Sequence, residues 1–368
     1  MILLSLGHDP KLFEEGSAVA NRQKEYAKLV DELHIVSYTQ FGYRVTKLGE
    51  NAWAYPTNSK RRFSYLWDGY KICRDIVGNL PLGHPGVIVT SQDGITNLLA
   101  IILNLRFGFH FEMQVHTDIF SKYFRKESLG NLMRLFGFWL GTRRASSVRV
   151  VSKRIKTNLV IRWKVDKRKI RILPIFIDAS RFQNSTDTTN PVNNLRKEYP
   201  NFSHIILMAS RLSREKNLPL ALSAFKEVRK KFSEAGLVIV GDGPLINQIT
   251  GDRVVVRPWE KDLVPLYKTS DIFLLTSDYE GYGLTLVEAA LSGTPIVTTD
   301  VGVVGDYINA HNALIAPPRD YRKLAAHIIF LLQNESARVM MRERLRKVAD
   351  HLLAKEDYLK ALKQNWLI

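Results

Sequence analysis

The chain has 368 residues, 45% of them hydrophobic and 24% charged. That length and balance predict two globular domains and exclude a disordered or collagen-like chain. Its one cysteine, Cys73, excludes an internal disulfide and a Cys-based zinc site. The formal net charge is +17 and is unevenly spread: residues 1–180 carry 28 Lys+Arg against 15 Asp+Glu, and residues 181–368 carry 25 against 21. A basic half points to an anionic partner: nucleic acid, a phospholipid surface or a phosphorylated substrate.

The N-terminus, MILLSLGHDP, has neither a basic leader nor a long apolar run. It reads as a first core strand rather than a signal peptide, and no stretch is long and apolar enough to span a membrane. A cytoplasmic location is expected. Short β-rich runs then alternate with helical ones. Strands are predicted at 2–6, 34–37, 86–90, 112–115, 147–151 and 170–173. The stretch 183–194, QNSTDTTNPVNN, is polar and reads as an exposed connection. A second series of strands follows at 205–209, 237–240, 254–256, 272–276 and 296–299, with helical runs at 218–232 and 283–292 and a helical tail from Asp320. Alternation of this kind, with apolar strands that lack a period of two, predicts parallel sheets covered on both faces. Two doubly wound domains would enclose a cleft, and ligands in such sheets bind beyond the carboxyl ends of the strands.

Three loops after the strands of the second half carry the chemistry. The first, SRLSREKN, places Arg211 and Lys216 before a helix, a combination suited to a diphosphate. The second, GDGP at 241–244, reads as a tight turn. The third, SDYEGYGLTLVEAALSGTPIVTT, places Glu280 in the loop, Gly281 and Gly283 at the start of a helix, and Glu288 two turns later. Amides near Gly283 and Leu284 can meet an anion or a sugar oxygen. The two carboxylates can accept hydrogen bonds from sugar hydroxyls and from a ribose diol.

The segment EGYGLTLVE resembles the E-x7-E signature of glycosyltransferase family 4, retaining nucleotide-sugar glycosyltransferases of the GT-B fold. ASRLSREKN, IVGDGPL, ALSGTPIVTTDVGVVGDYI, VVSKRIKTNLV, IRILPIFIDASRF and QVHTD resemble companion segments of that family. The resemblance implies an α/β architecture of two Rossmann-like domains facing a central cleft. The acceptor-side domain would cover 1–178, a linker region 179–200 and the donor domain 201–350, with 351–368 forming a helix that packs back on the first domain. It implies that Arg211 and Lys216 neutralise the donor diphosphate and the leaving group, that Glu280 holds the transferred sugar, and that Glu288 holds the ribose. Gly281, Tyr282, Gly283 and Leu284 would offer backbone contacts, His116 would face the reacting carbon from the acceptor side, and Gly16 would approach the diphosphate from the first domain. The base would pack near residues 257–259, which read RPW. The sequence has no D-x-D carboxylate pair, and no metal or other cofactor is expected: the donor, UDP- or GDP-linked, is a substrate. The implied activity is hexosyl transfer to a glycan or lipid-linked acceptor in envelope or surface-polysaccharide assembly. The alternative is a catalytically silent subunit of the same fold that binds glycan or a partner enzyme.

The basic half remains to be assigned. Leu129, Leu132, Met133, Phe136 and Leu140 share one helical face. Residues 153–171 carry nine Lys/Arg, one acid and Trp163. Basic residues interleaved with aromatics suit an anionic membrane surface, so peripheral binding through 120–171 is expected. No nucleic-acid motif accompanies the charge, and nucleic acid is not an expected partner.

Overall fold

The computed structural model describes residues 1–79, 86–183 and 194–367. It contains two sheets. The first has eight strands: β1 (Ile2–Gly7), β2 (Glu32–Ser37), β3 (Thr46–Gly49), β4 (Ala52–Pro56), β5 (Val87–Ser91), β6 (His110–Val115), β7 (Ser147–Val150) and β8 (Ile170–Ile172). Their order is β3-β4-β2-β1-β5-β6-β7-β8, parallel throughout except that β3 runs antiparallel to β4. The second has six: β9 (His204–Ala209), β10 (Ala235–Val240), β11 (Val254–Arg257), β12 (Ile272–Leu275), β13 (Ile296–Thr299) and β14 (Leu314–Ala316). Their order is β11-β10-β9-β12-β13-β14, all parallel.

Both faces of the central strands are covered. Every residue of β10, β12 and β13 is buried, which accounts for apolar runs without alternation. Each sheet reverses its winding once, between β1 and β5 in the first and between β9 and β12 in the second. Such a reversal splays the adjoining loops and opens a crevice at the carboxyl ends of the strands. Each candidate site residue but one, Glu288, lies in or beside a loop at these ends.

Three strands were not legible in the pattern. β3 and β4 form an edge hairpin, with only Leu48 buried in β3 and a pattern ending at Pro56 in β4. β14 is a three-residue edge strand. The expected linker is also shorter than 179–200. Leu195 is fully buried, its amide donates to Thr269 Oγ1 at 3.2 Å, and Arg196 pairs with Asp271 at 2.6 Å. Residues 194–200 therefore belong to the second domain, because an apolar anchor and a buried acid hold them there. Residues 184–193, the polar core of the expected connection, lie outside the described residues.

The last helix, Lys355–Trp366, returns to the first domain. Tyr358, Leu362 and Trp366 pack with Leu3, Ala27 and Leu33. Among the described residues, no helix is long and apolar enough to cross a membrane.

Candidate active site

The wall contributed by the second domain is built at the β9/β12 reversal. After β9 the chain makes a tight turn, Arg214–Lys216, and Asn217 then starts the helix Leu218–Arg229 from a left-handed conformation, φ +50°. Its side chain accepts from the Leu220 amide at 3.3 Å and donates to Asp278 at 2.9 Å. Thr276, just beyond β12, donates to the Lys216 carbonyl at 2.8 Å. The two loops are thereby stitched together, and their side chains meet. The Lys216 ammonium pairs with the Glu280 carboxylate, which also accepts from Ser277 Oγ at 2.8 Å. Both side chains are about seven-eighths covered, at 15% and 13% exposure. Arg211 differs: it is 73% exposed and, among the described residues, its one ionic partner is Glu215, at 3.1 Å. A screened pair of that kind is weak, so the guanidinium is available to an anion in the cleft.

Gly283 starts the helix Leu284–Leu291 at φ +85°, a conformation glycine adopts without cost. It has no side chain to cap the first turn, so the helix N-terminus is left open to an acceptor group. Tyr282 is buried, its hydroxyl bonded to Tyr307 and its carbonyl taken by the Val303 amide at 2.9 Å. Only its amide remains to be offered. Glu288 lies inside the helix and accepts from the Tyr267 hydroxyl at 2.9 Å. Burial pushes its carboxyl up to about 7, against the Tyr267 hydrogen bond and the charge of Arg181. Two hydroxyls donating to it would favour the ionised form.

The glycines of GDGP serve the fold of this wall. A Cβ on Gly241 would sit 1.9 Å from the Ser210 carbonyl oxygen, and one on Gly243 would sit 2.4 Å from that of Leu212. Both let the neighbouring loop lie flat. At the expected base loop, Arg257 pairs with Glu198 at 2.5 Å and Glu260 at 2.7 Å. Trp259 stands 46% exposed beside them.

The wall of the first domain encloses a cavity of about 580 Å³, lined by residues in or just beyond β1, β2, β5, β6 and β7, by the helix Ala18–Ala27, by Ile175 and Phe176, and by the last helix. His116 lies on it, beyond the end of β6. Because side chains alternate along a strand, Glu112, Gln114 and His116 point the same way and bond in sequence. Gln114 Nε2 donates to Glu112 Oε2 at 2.9 Å, and Gln114 Oε1 lies 3.0 Å from His116 Nε2. That amide orientation requires the imidazole to carry its proton on Nε2, which leaves Nδ1 as an acceptor. Burial, with help from Arg149 and Arg22, pushes the His116 pKa down to about 3; the ring is neutral at physiological pH. Burial pushes Glu112 the other way, up to about 7, against Arg149, Gln114 and Trp366. Arg149 stands opposite Gln114 on β7. It donates to the carbonyls of Leu173 and Pro174, both at 3.2 Å, and to the Tyr358 hydroxyl at 2.8 Å.

The two walls touch. A Cβ on Gly281 would lie 1.8 Å from the His116 carbonyl oxygen, so Gly281 is the residue that lets the loops close on each other. Beside it, Tyr279 bonds to Glu127 and stands edge-on to Phe124 at 5.5 Å. Arg319 lies 4.2 Å above the Tyr123 ring while forking onto Asp278. The Lys153 amide donates to Asp306 at 3.0 Å, and Arg154 pairs with Asp300.

The structure thus brings His116, Lys216, Glu280 and Gly281 together, with Arg211 on the exposed rim of the same wall. Gly16 is not among the residues lining the cavity. It sits at φ +72° just before Ser17, the cap of the helix Ala18–Ala27, with open space around it. Glu112, Gln114, Arg149, Tyr358 and Arg319 were missed from the sequence. The one signal available was polar residues at a spacing of two within an otherwise buried strand. Among the described residues, no group of three His, Cys, Asp or Glu side chains is placed to hold a metal.

Residues 193–348 match the family described as glycosyl transferases group 1. The chain is 31% identical over 157 residues to the alpha-monoglucosyldiacylglycerol synthase of Streptococcus pneumoniae (strain ATCC BAA-255 / R6), an alignment covering 39% of this chain and 35% of that one. The chain spans about a third of the length of this relative and of the glycogen synthase of Mycobacterium tuberculosis (strain CDC 1551 / Oshkosh), 35% and 34%. Among solved structures it is similar to sucrose-phosphate synthase from Thermosynechococcus elongatus, with TM-score 0.76, 19% identity and coverage of 99% and 98% of the two chains. It is also similar to Anabaena HepE in complex with UDP and glucose, with TM-score 0.76, 16% identity and the same coverage. The whole chain has the GT-B fold.

Proposed function

We propose that the chain is a glycosyltransferase that moves a hexosyl group from a nucleoside diphosphate sugar to a glycan or lipid-linked acceptor, with retention and without a metal. The observation that carries this reading is the Lys216–Glu280 pair, set beside Arg211 at the sheet reversal and held against His116 through Gly281. The cations suit a diphosphate, whose charge grows as it departs. Glu280 suits the hydroxyls of the transferred sugar, and neutral His116 offers Nδ1 to a hydroxyl at the reacting end. In the reaction we infer, the bond from the anomeric carbon to the diphosphate oxygen breaks. The bond to the acceptor oxygen forms on the same face, and the acceptor proton passes to the departing oxygen. The names of the relatives support the class of product: one is named as a glucosyldiacylglycerol synthase, and one structural neighbour was solved with UDP and glucose. We place the reaction at the cytoplasmic side of envelope or surface-polysaccharide assembly.

Calorimetric titration with UDP, GDP and ADP in EDTA tests the reading. One nucleotide should bind, Arg211→Ala should weaken it, and Glu280→Ala should leave it bound while abolishing sugar transfer. Binding of none of the three would favour a silent subunit of the same fold.

A further inference from the structure

The helix Leu129–Arg144 is folded with its apolar stripe outward. Leu129 is 81% exposed, Met133 66%, Phe136 56%, Leu132 46% and Trp139 38%. The face that packs carries Asn131, Gly137, Phe138 and Gly141 instead. A Cβ on Gly137 would lie 1.8 Å from the carbonyl oxygen of Gly94, which opens the helix Gly94–Phe107. That neighbour adds Ile102 and Leu105 to the exposed surface. Phe136 and Trp139 stack with ring centroids 6.1 Å apart, and Arg143 lies 5.3 Å above Trp139. Monomeric proteins rarely leave a contiguous apolar patch of this extent uncovered.

The charge around the patch identifies what covers it. Residues 122–144 contain six cations and one acid, Glu127. Glu127 is bonded to Tyr279, and Arg134 is held by Asp93 at 3.2 Å. Lys122, Arg125, Lys126, Arg143 and Arg144 have no acidic partner among the described residues. We propose that this face docks on an anionic lipid bilayer, its apolar side chains entering the headgroup–acyl boundary and its cations meeting lipid phosphates. A second copy of the chain is disfavoured, since two such rims would repel. The helix Lys122–Glu127 joins the patch to the His116 loop and touches the other domain through Phe124, which sets the bilayer beside the cleft mouth. The proposal does not rest on the transferase reading, because vesicle binding is measured without donor or acceptor.

The test is co-sedimentation of the full chain with phosphatidylcholine vesicles and with vesicles containing phosphatidylglycerol, at low and high salt. The chain should pellet with the anionic vesicles alone, and salt should release it. Met133→Glu with Phe136→Glu should cut partition by about tenfold or more. Lys122→Glu with Lys126→Glu should cut it by at least about fivefold per site. These side chains are exposed, so the thermal midpoint and nucleotide titration should match wild type, which separates lost docking from lost folding. Equal recovery on both vesicle types, no recovery, or undiminished binding by the first double variant would overturn the proposal. So would a dimer in solution that the same variant converts to monomer, since that assigns the face to a second copy.

Discussion

Gly281→Ala tests the closure of the two walls directly. The backbone at Gly281 is not in the left-handed region, so alanine can adopt it and the effect lies in the contact alone. The new methyl group would lie 1.8 Å from the His116 carbonyl oxygen, 2.4 Å from its carbonyl carbon and 2.9 Å from the Thr117 amide nitrogen. Ordinary contact begins at 3.4 Å, so the walls must part by about 1.6 Å. The obstructing atoms are backbone, immediately beyond β6, and cannot rotate aside. A 1 Å misplacement of reacting groups costs on the order of 10²-fold in rate, which makes about 10²-fold the minimum expected loss in kcat, or about 3 kcal/mol. Nucleotide binding should persist, because Arg211 and Lys216 sit on the same wall as the methyl group and move with it. The readout is sugar transfer or donor hydrolysis, paired with UDP and GDP titration. Wild-type turnover by the variant would refute the argument, as would loss of nucleotide binding in step with loss of rate.

Three further outcomes follow from the site. Glu112 has a folded pKa near 7 against a reference of 4.5, so the stability it contributes is full below about 4.5 and is lost as pH rises through 7. At about 1.4 kcal/mol per pH unit this is at most about 3 kcal/mol. His116, depressed from 6.5 to about 3, acts in the opposite sense over that interval. The difference between wild type and Glu112→Gln is therefore the readout: urea denaturation from pH 4 to 8 should show the variant gaining on wild type as pH rises, and parallel curves would count against a buried titrating carboxyl. Tyr358→Phe removes the hydroxyl that Arg149 reaches at 2.8 Å and should cost about 1–2 kcal/mol; an unchanged denaturation midpoint would show that the last helix docks without that bond. Lys216→Ala leaves Glu280 without its cation and should weaken nucleotide binding as well as transfer, whereas Lys216→Arg should recover part of the binding; a variant that loses transfer alone would assign Lys216 to the sugar rather than the diphosphate.

The wall built by the second domain was largely legible because its signals are local. An apolar run without alternation marks β12, and Gly281 and Gly283 fall in the loop and at the helix start, so Glu280 could be placed from sequence. Glu112, Arg149 and Tyr358 could not be brought together, because they lie 37 and 209 residues apart along the chain and meet only when the last helix returns. The helix Leu129–Arg144 shows a different limit. Its periodicity gives a face but not which side is buried. Here Gly137 and Gly141 allow backbone to approach backbone, so the small residues turn inward and the large ones outward. Several of the nine cations in the basic cluster 153–171, expected at a membrane, have partners within the protein. Arg154 pairs with Asp300, Lys156 and Arg162 donate to the carbonyls of Ile170 and Phe120, and Arg168 pairs with Asp166. Its partners include residues far along the chain, which composition does not show.

The placement of charge divides the work between the walls. A histidine beside a carboxylate usually becomes easier to protonate. Here Gln114 stands between Glu112 and His116, and burial, together with the charges of Arg149 and Arg22, disfavours protonation of the ring. The buried acid is thus tied to the sheet, and the imidazole is kept neutral with one orientation and one open nitrogen. In the proposed transfer such a group is suited to a hydroxyl and adds no positive charge beside the reacting carbon, which itself becomes positive as the phosphate departs. On the proposed reading, the positive charge comes from Lys216 and Arg211 on the facing wall, where the leaving group is. The same division explains why Arg149 needs Tyr358. A guanidinium this deep must find its hydrogen bonds in fixed positions, and the last helix supplies the one that the strands cannot.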